Sequence, residues 1–170
     1  MGKLEGRVAI VTGGALGIGG ATARKLASEG ASVFIADIDD GAAAANVGRI
    51  EQAGGMAAAS HIDVAKSDDI ARMVNEAVEL YGGLDILVQN AFGVIAGESR
   101  IHGSAITVEE DDWDYGIGVL LKALYLGAKH AIPHMKAAGG GNISTWPLST
   151  ACSRNLACWS TRPPRPAWWG

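Results

Sequence analysis

The feature that most constrains the fold is the glycine-rich segment Thr12-Gly13-Gly14-Ala15-Leu16-Gly17-Ile18-Gly19. It follows the short apolar run Val8-Ala9-Ile10-Val11, which predicts a buried strand, and Ala15 to Glu29 predict a helix that ends at Gly30. Glycines let the backbone turn sharply, and the helix then directs free N–H groups and the positive end of its dipole into the turn. This geometry favours a pyrophosphate, as in a dinucleotide. Because the chain contains 24 glycines, a purely structural turn is the alternative.

A second apolar run, Ser32 to Ala36, predicts a buried strand that ends at Asp37. A carboxylate about 20 residues beyond such glycines accepts hydrogen bonds from both hydroxyls of an adenosine ribose. It also repels a 2′-phosphate, so Asp37 predicts NAD in preference to NADP. Asp39 and Asp40 follow immediately, and a solvated carboxylate or a helix cap is the alternative interpretation.

Strands and helices alternate along the remainder of the chain. The pattern predicts a helix over Asp40 to Ala53, a strand over Met56 to Ile62, a helix from Ser67 and a strand over Leu84 to Val88. Gly54-Gly55 and Gly82-Gly83 end the two helices, and a long helix then leads to a strand that begins at Asn142. Strict alternation predicts an α/β fold, a parallel sheet with flanking helices that stops after the start of its fifth strand. Ligands then bind at the carboxyl ends of the strands.

Composition divides the chain into a domain over residues 1–143 and an irregular tail over 144–170, which holds four of the five Trp, four of the five Pro and both Cys. The net charge of −4 argues against nucleic-acid and membrane-surface partners. No apolar run reaches the length of a membrane span, and the first residues lack the core of a signal peptide, so we expect a cytoplasmic protein. His130 and His134 lie four residues apart, but no acid separates them, and we predict surface histidines rather than a metal site.

Four motifs in this order make residues 4–143 similar to the short-chain dehydrogenase/reductase family: the glycine turn, Asp37, Asp63-Val64 after the third strand and Asn90-Ala91 after the fourth. The resemblance implies a Rossmann-like domain that binds NAD(P) and transfers hydride to or from an alcohol or ketone. It also implies the homo-oligomeric assembly usual in the family. The cofactor contacts that it implies are Thr12, Gly13, Gly17, Ile18, Gly19, Asp37, Ile38, Asp63, Val64, Asn90 and Ala91.

The sequence departs from the family at the residues that carry the chemistry. Leu120 stands where the family has an Asn of its proton relay, and we interpret it as a core residue. The catalytic Ser and Tyr-x-x-x-Lys are absent after the fifth strand, so no catalytic residue is assigned. A Lys beside the Tyr lowers the phenol pKa, and without that pair the site lacks the acid that protonates the developing alkoxide.

We hypothesise a shifted reading frame from about Ser144, which would explain both the absent residues and the unusual tail. The codons that straddle Ser160-Thr161 and Pro164-Arg165 can encode Tyr and Lys, which permits the run Tyr-Ser-Ala-Ala-Lys. The codon that straddles Pro147-Leu148 can encode a Ser thirteen codons earlier. A natural divergent tail is the alternative.

Three functional interpretations therefore remain open. The chain is an NAD-dependent oxidoreductase by family, inactive as written; a non-catalytic dinucleotide-binding module; or a non-functional fragment. Only a folded module binds NADH saturably, and only an enzyme with its acid/base pair reduces NAD with an alcohol.

Overall fold

The computed structural model describes residues 2–95, 98–99 and 106–145. In chain order the elements are β1 (Val8–Thr12), α1 (Gly17–Ser28), β2 (Ser32–Asp37), α2 (Asp40–Gln52), β3 (Met56–His61), α3 (Ser67–Tyr81), β4 (Ile86–Gln89), β5 (Val94–Ile95), β6 (Glu98–Ser99), α4 (Glu110–Ile117), a π-helical turn (Gly118–Lys122), α5 (Ala123–Ala137) and β7 (Asn142–Thr145). None of the helices in these residues is long and apolar enough to cross a membrane.

Five strands form one parallel sheet in the order β3-β2-β1-β4-β7, and β5 pairs antiparallel with β6. β1 is central, with Ile10 opposite Phe34 of β2 on one side and Leu87 of β4 on the other. Parallel neighbours need a crossover connection, which the intervening helices supply. The predicted Rossmann-like parallel sheet with flanking helices is therefore confirmed.

Apolar residues cover both faces of the sheet. On one face Ile10 and Leu87 pack with α3, the π-helical turn and α5. On the other, Val11 and Ile35 pack with α1 and α2. This two-sided burial explains why the strands are continuous apolar runs in the sequence rather than alternating patterns.

The last strand extends beyond the domain boundary that composition indicates. Ser144 and Thr145 pair with Val88 and Gln89 of β4, so they belong to the sheet although they are counted with the tail. These two polar residues join the strand through backbone pairing, which the amino-acid composition cannot reveal. The remaining residues of the predicted tail, 146–170, lie outside the described residues.

One long helical segment comprises α4, the π-helical turn and α5. Within the turn Val119 is buried and Leu120 packs against the core formed by α3 and the sheet, which agrees with its interpretation as a core residue. A π-helical turn inserts one extra residue into a helix and frequently lies near a functional site.

Candidate dinucleotide site

The glycine turn joins the carboxyl end of β1 to the first turn of α1. Gly13 and Gly17 have positive φ values of 64° and 54°, which residues with a side chain rarely adopt. These two conformations delay the start of α1 to Gly17, two residues later than the sequence predicts. Leu16 is the N-cap, and its side chain has no atom that could accept a hydrogen bond from the first turn. The N–H groups of the first helical turn therefore have no side-chain cap, and such groups attract anions.

Hydrogen bonds of Asn90 and Thr12 join the carboxyl end of β4 to that of β1. Asn90 Nδ2 donates hydrogen bonds to Thr12 O (3.2 Å) and Gly13 O (3.1 Å). In return the N–H groups of Asn90 and Ala91 donate to Thr12 Oγ1 at 3.0 and 3.2 Å. The predicted residues Thr12, Gly13, Asn90 and Ala91 therefore lie side by side.

Gly13 and Gly19 leave no room for a side chain where the turn meets the end of β4. A Cβ on Gly19 would overlap the carbonyl oxygen of Gly13 and Nδ2 of Asn90. A Cβ on Gly13 would lie 2.9 Å from Cα of Ala91. Beside Gly17, in contrast, the space that a Cβ would enter is open. The turn thus packs closely against the end of β4 on its inner side and has open space beside Gly17.

Asp37, at the end of β2, faces the same turn. Its Oδ2 accepts from the Ala15 N–H at 2.9 Å, and its Oδ1 accepts from the Asp39 N–H at 3.1 Å. Each carboxylate oxygen retains a further lone pair for a ligand hydroxyl. Ile38 follows it and is half-buried. The cap of α2 is Asp39, whose Oδ1 accepts from the Ala42 N–H, so the carboxylate of Asp37 is not used as that cap.

Asp63 and Val64 lie in the connection between β3 and α3. The Asp63 N–H donates to Asp69 Oδ2 at 2.9 Å, and Asp63 Oδ1 accepts from the Ala65 N–H at 3.0 Å. The hydrogen bond from the Asp63 N–H, with a smaller contribution from the Arg72 guanidinium, lowers the pKa of Asp69. Asp69 therefore fixes the backbone of this connection in its ionised form.

A small cavity extends from this edge of the sheet to the long helical segment. Its lining includes Thr12, Val64, Ala91 and Val119. Gln89 also lines it and donates from Nε2 to the carbonyls of Ala123 (3.2 Å) and Leu124 (3.1 Å), which fastens α5 to the end of β4. The sequence did not predict this contact between Gln89 and α5.

Buried polar side chains in the described ranges are Thr12, Asn46 and Gln89, and each contacts this region. Sequence reasoning missed Asn46. Its signal is its position on α2, where Asn46 shares the buried helical face of Ala43 and Ile50. A polar residue on such a face requires a partner.

The one Tyr-x-x-x-Lys spacing in the described ranges, Tyr125 with Lys129, lies on α5. The Tyr125 side chain is 63% exposed, so it does not contribute to the cavity. Over residues 2–95, 98–99 and 106–145, no group of three His, Cys, Asp or Glu residues could hold a metal ion.

The family model for short chain dehydrogenases matches residues 7–160. Tropinone reductase-like 1 of Erythroxylum coca is 44% identical over 129 residues, which cover 76% of this chain and 46% of that protein. Momilactone A synthase of Oryza sativa subsp. japonica is 40% identical over 154 residues, which cover 89% of this chain and 53% of that protein. The chain spans about half the length of these curated relatives.

Solved structures agree in fold and in sequence. A metagenomic short-chain oxidoreductase in complex with NADP aligns with a TM-score of 0.76 and 38% identity, covering 84% of this chain and 62% of that chain. A short chain dehydrogenase from Burkholderia cenocepacia J2315 in complex with NADP aligns with a TM-score of 0.71 and 37% identity, covering 78% and 52%. With the glycine turn, Asp37 and Asn90 in place, the chain belongs to the short-chain dehydrogenase family.

Proposed function

We propose that this chain binds a nicotinamide dinucleotide at the glycine turn and favours NAD. The observation that carries the proposal is the uncapped amino end of α1 beside an inner surface too tight for any side chain, a cradle that suits a pyrophosphate. Thr12, Gly13, Gly17, Ile18 and Gly19 would hold the pyrophosphate side, with Asn90 and Ala91 beneath them. When bound, the nicotinamide ring accepts or donates a hydride.

Charge at the end of β2 supports NAD over NADP. Asp37, Asp39 and Asp40 place three carboxylates within four residues, and Asp37 is held beside the turn by the Ala15 N–H. A 2′-phosphate would meet like charge there, whereas ribose hydroxyls would find acceptors. Two of the structural relatives are complexes with NADP, so a preference for NADP is the competing expectation.

Asp63 and Val64 would contact the adenine, and Ile38 would lie next to it. This assignment rests on the family resemblance, and it is supported by the position of the Asp63–Val64 backbone at the carboxyl edge of the sheet. The family-level reaction is hydride transfer between the dinucleotide and an alcohol or ketone. In the sequence as written, no Tyr-x-x-x-Lys follows β7, so we infer binding without turnover.

Fluorescence titration with NADH and NADPH tests the binding proposal. We expect saturable NADH binding and weaker NADPH binding. Asp37→Asn, which keeps the shape and removes the charge, should reduce the ratio of the two dissociation constants by about tenfold or more. Glu79→Gln, an exposed acid near the end of α3, is the control and should leave the ratio unchanged. Equal binding of both nucleotides by the unmodified chain would contradict the preference, and binding of neither would contradict the site and favour a non-functional fragment.

The reading-frame hypothesis is tested separately, because it concerns catalysis rather than binding. The family model matches residues up to 160, beyond Ser144, where the shifted frame would begin. The match therefore does not distinguish a shifted frame from a natural tail, and the encoding DNA must be sequenced. Codons over residues 160–165 that cannot yield Tyr-Ser-Ala-Ala-Lys in the shifted frame would end the hypothesis. If they can, a frame-restored chain should reduce NAD with a panel of secondary alcohols, while the chain as written should not.

A further inference from the structure

Asn46 is fully buried on α2, with 0% of its surface exposed. Its Nδ2 donates to Gly14 O at 2.8 Å and more weakly to Gly20 O at 3.3 Å. Gly14 belongs to the glycine turn and Gly20 to the first turns of α1. One amide therefore joins α2 to both parts of the proposed dinucleotide site, over sequence separations of 32 and 26 residues.

The orientation of this amide follows from its third partner. Arg24 NH1 lies 2.6 Å from Asn46 Oδ1. A guanidinium only donates hydrogen bonds, so it faces the amide oxygen, and the NH₂ group is directed at the two carbonyls, which only accept. Arg24 thus fixes which end of the Asn46 amide meets Gly14.

Asn46 and Asp37 bind opposite sides of the same peptide group, the one that joins Gly14 to Ala15. The described peptide bonds are trans, so the carbonyl of Gly14 and the N–H of Ala15 point in opposite directions. Asn46 holds the carbonyl side at 2.8 Å, and Asp37 Oδ2 accepts from the N–H side at 2.9 Å. A rotation of this peptide plane would withdraw the Ala15 N–H from the Asp37 carboxylate.

We propose that Asn46 is a positioning residue for the selection between NAD and NADP. It acts by fixing the Gly14–Ala15 peptide plane and with it the direction of the Asp37 carboxylate. This inference rests on the proposed dinucleotide function. It adds a determinant on a neighbouring helix, in which Asn46 contacts neither the ribose nor the phosphate.

Two uncharged variants, Asn46→Leu and Asn46→Ala, test the inference by titration with NADH and NADPH. Leu keeps most of the volume, and Ala avoids overpacking if Leu does not fold. Loss of one well-placed hydrogen bond to the ribose predicts an NADH dissociation constant raised about tenfold and an NADPH constant changed less than about threefold. Gln52→Ala removes an exposed amide from the end of the same helix and is the control. Urea unfolding curves identify the variants that are folded during titration.

The outcomes separate the two levels of the proposal. An unmodified chain that binds neither nucleotide overturns the proposed function whatever the variants do. One that binds both equally overturns the preference for NAD and with it the selecting role of Asn46. An unmodified chain that discriminates, together with folded variants that retain its ratio of constants, overturns the role of Asn46. A parallel loss of both nucleotides also overturns it, because Asn46 would then support the turn as a whole and not the carboxylate.

Discussion

The contact between Gly127 and Gln89 provides the sharpest test of how α5 is seated on the sheet. A Cβ added at Gly127 would overlap Gln89 Nε2 and lie 3.3 Å from its Cδ. The same Cβ would be 3.4 Å from Leu87 Cδ2, an ordinary contact distance. The Gly127→Ala substitution therefore conflicts with one side chain, the amide that binds the carbonyls of Ala123 and Leu124.

The size of the effect follows from these contacts. Replacing Gly by Ala inside a helix stabilises it by about 1 kcal/mol when nothing else changes. Here Gln89 must withdraw and lose two hydrogen bonds, at roughly 1 kcal/mol each, and its buried amide costs a further 1 kcal/mol or more if it finds no new partner. We expect Gly127→Ala to lower the free energy of unfolding by about 1–3 kcal/mol.

Without the Gln89 side chain, Gly127→Ala should stabilise the chain instead of destabilising it. In a Gln89→Ala background the added methyl meets no amide, so Gly127→Ala should raise the free energy of unfolding by up to about 1 kcal/mol. The coupling between the two sites is then about 2–4 kcal/mol. The double-mutant cycle is measured with urea unfolding curves of the four chains.

Gly48→Ala on α2 is the matched control. A Cβ there meets no atom within 4 Å, so we expect it to stabilise both backgrounds equally, by about 0.5–1 kcal/mol. Equal destabilisation by Gly127→Ala with and without Gln89 would refute the reasoning, because the cost would then come from the backbone or from Leu87.

Three further predictions concern the proposed site. Gly19→Ala should abolish NADH binding in titration, because the new methyl overlaps Gly13 and Asn90 and must separate the turn from β4; retained affinity would contradict this packing. Thr12→Val leaves two backbone N–H donors without their hydroxyl acceptor and should lower the free energy of unfolding by about 2–4 kcal/mol, whereas Thr12→Ser, which keeps the hydroxyl, should cost less than half as much in the same urea assay. Asp69→Asn should destabilise the chain at neutral pH. Since the folded pKa of Asp69 is lowered, its contribution is complete above the unfolded pKa of about 3.9 and disappears as the pH falls through the folded value, so the urea midpoints of the two chains should converge in acid.

Much of the fold could be predicted from local patterns. The apolar runs before Thr12 and before Asp37 predicted the two strands, because a strand buried on both faces must be apolar along its whole length. The glycine turn could be predicted because only glycine adopts the φ values of Gly13 and Gly17 at little cost. These features depend on neighbours in sequence, and the structure has them where they were predicted.

The placement of the individual site residues depended on both the sequence and the tertiary structure. Sequence placed Asp37 and Asn90 at strand ends, and a parallel sheet brings such ends to one edge. Which atoms they bind, the Ala15 N–H and the carbonyls of Thr12 and Gly13, is a property of the packed turn. Ser144 and Thr145 lie in β7 because they pair with β4, a strand more than fifty residues earlier in the chain.

The sequence by itself determined the parallel α/β sheet, the glycine turn and the family to which the chain belongs. Only the tertiary structure decided the roles of Asn46 and Gln89. Helical periodicity indicates that Asn46 lies on a buried face, but it does not state which carbonyl lies opposite. That depends on how closely α2 packs beside α1 and the turn, and how α5 packs on β4. Hydrogen bonds act over about 3 Å, so these roles are fixed only when elements distant in sequence are in contact.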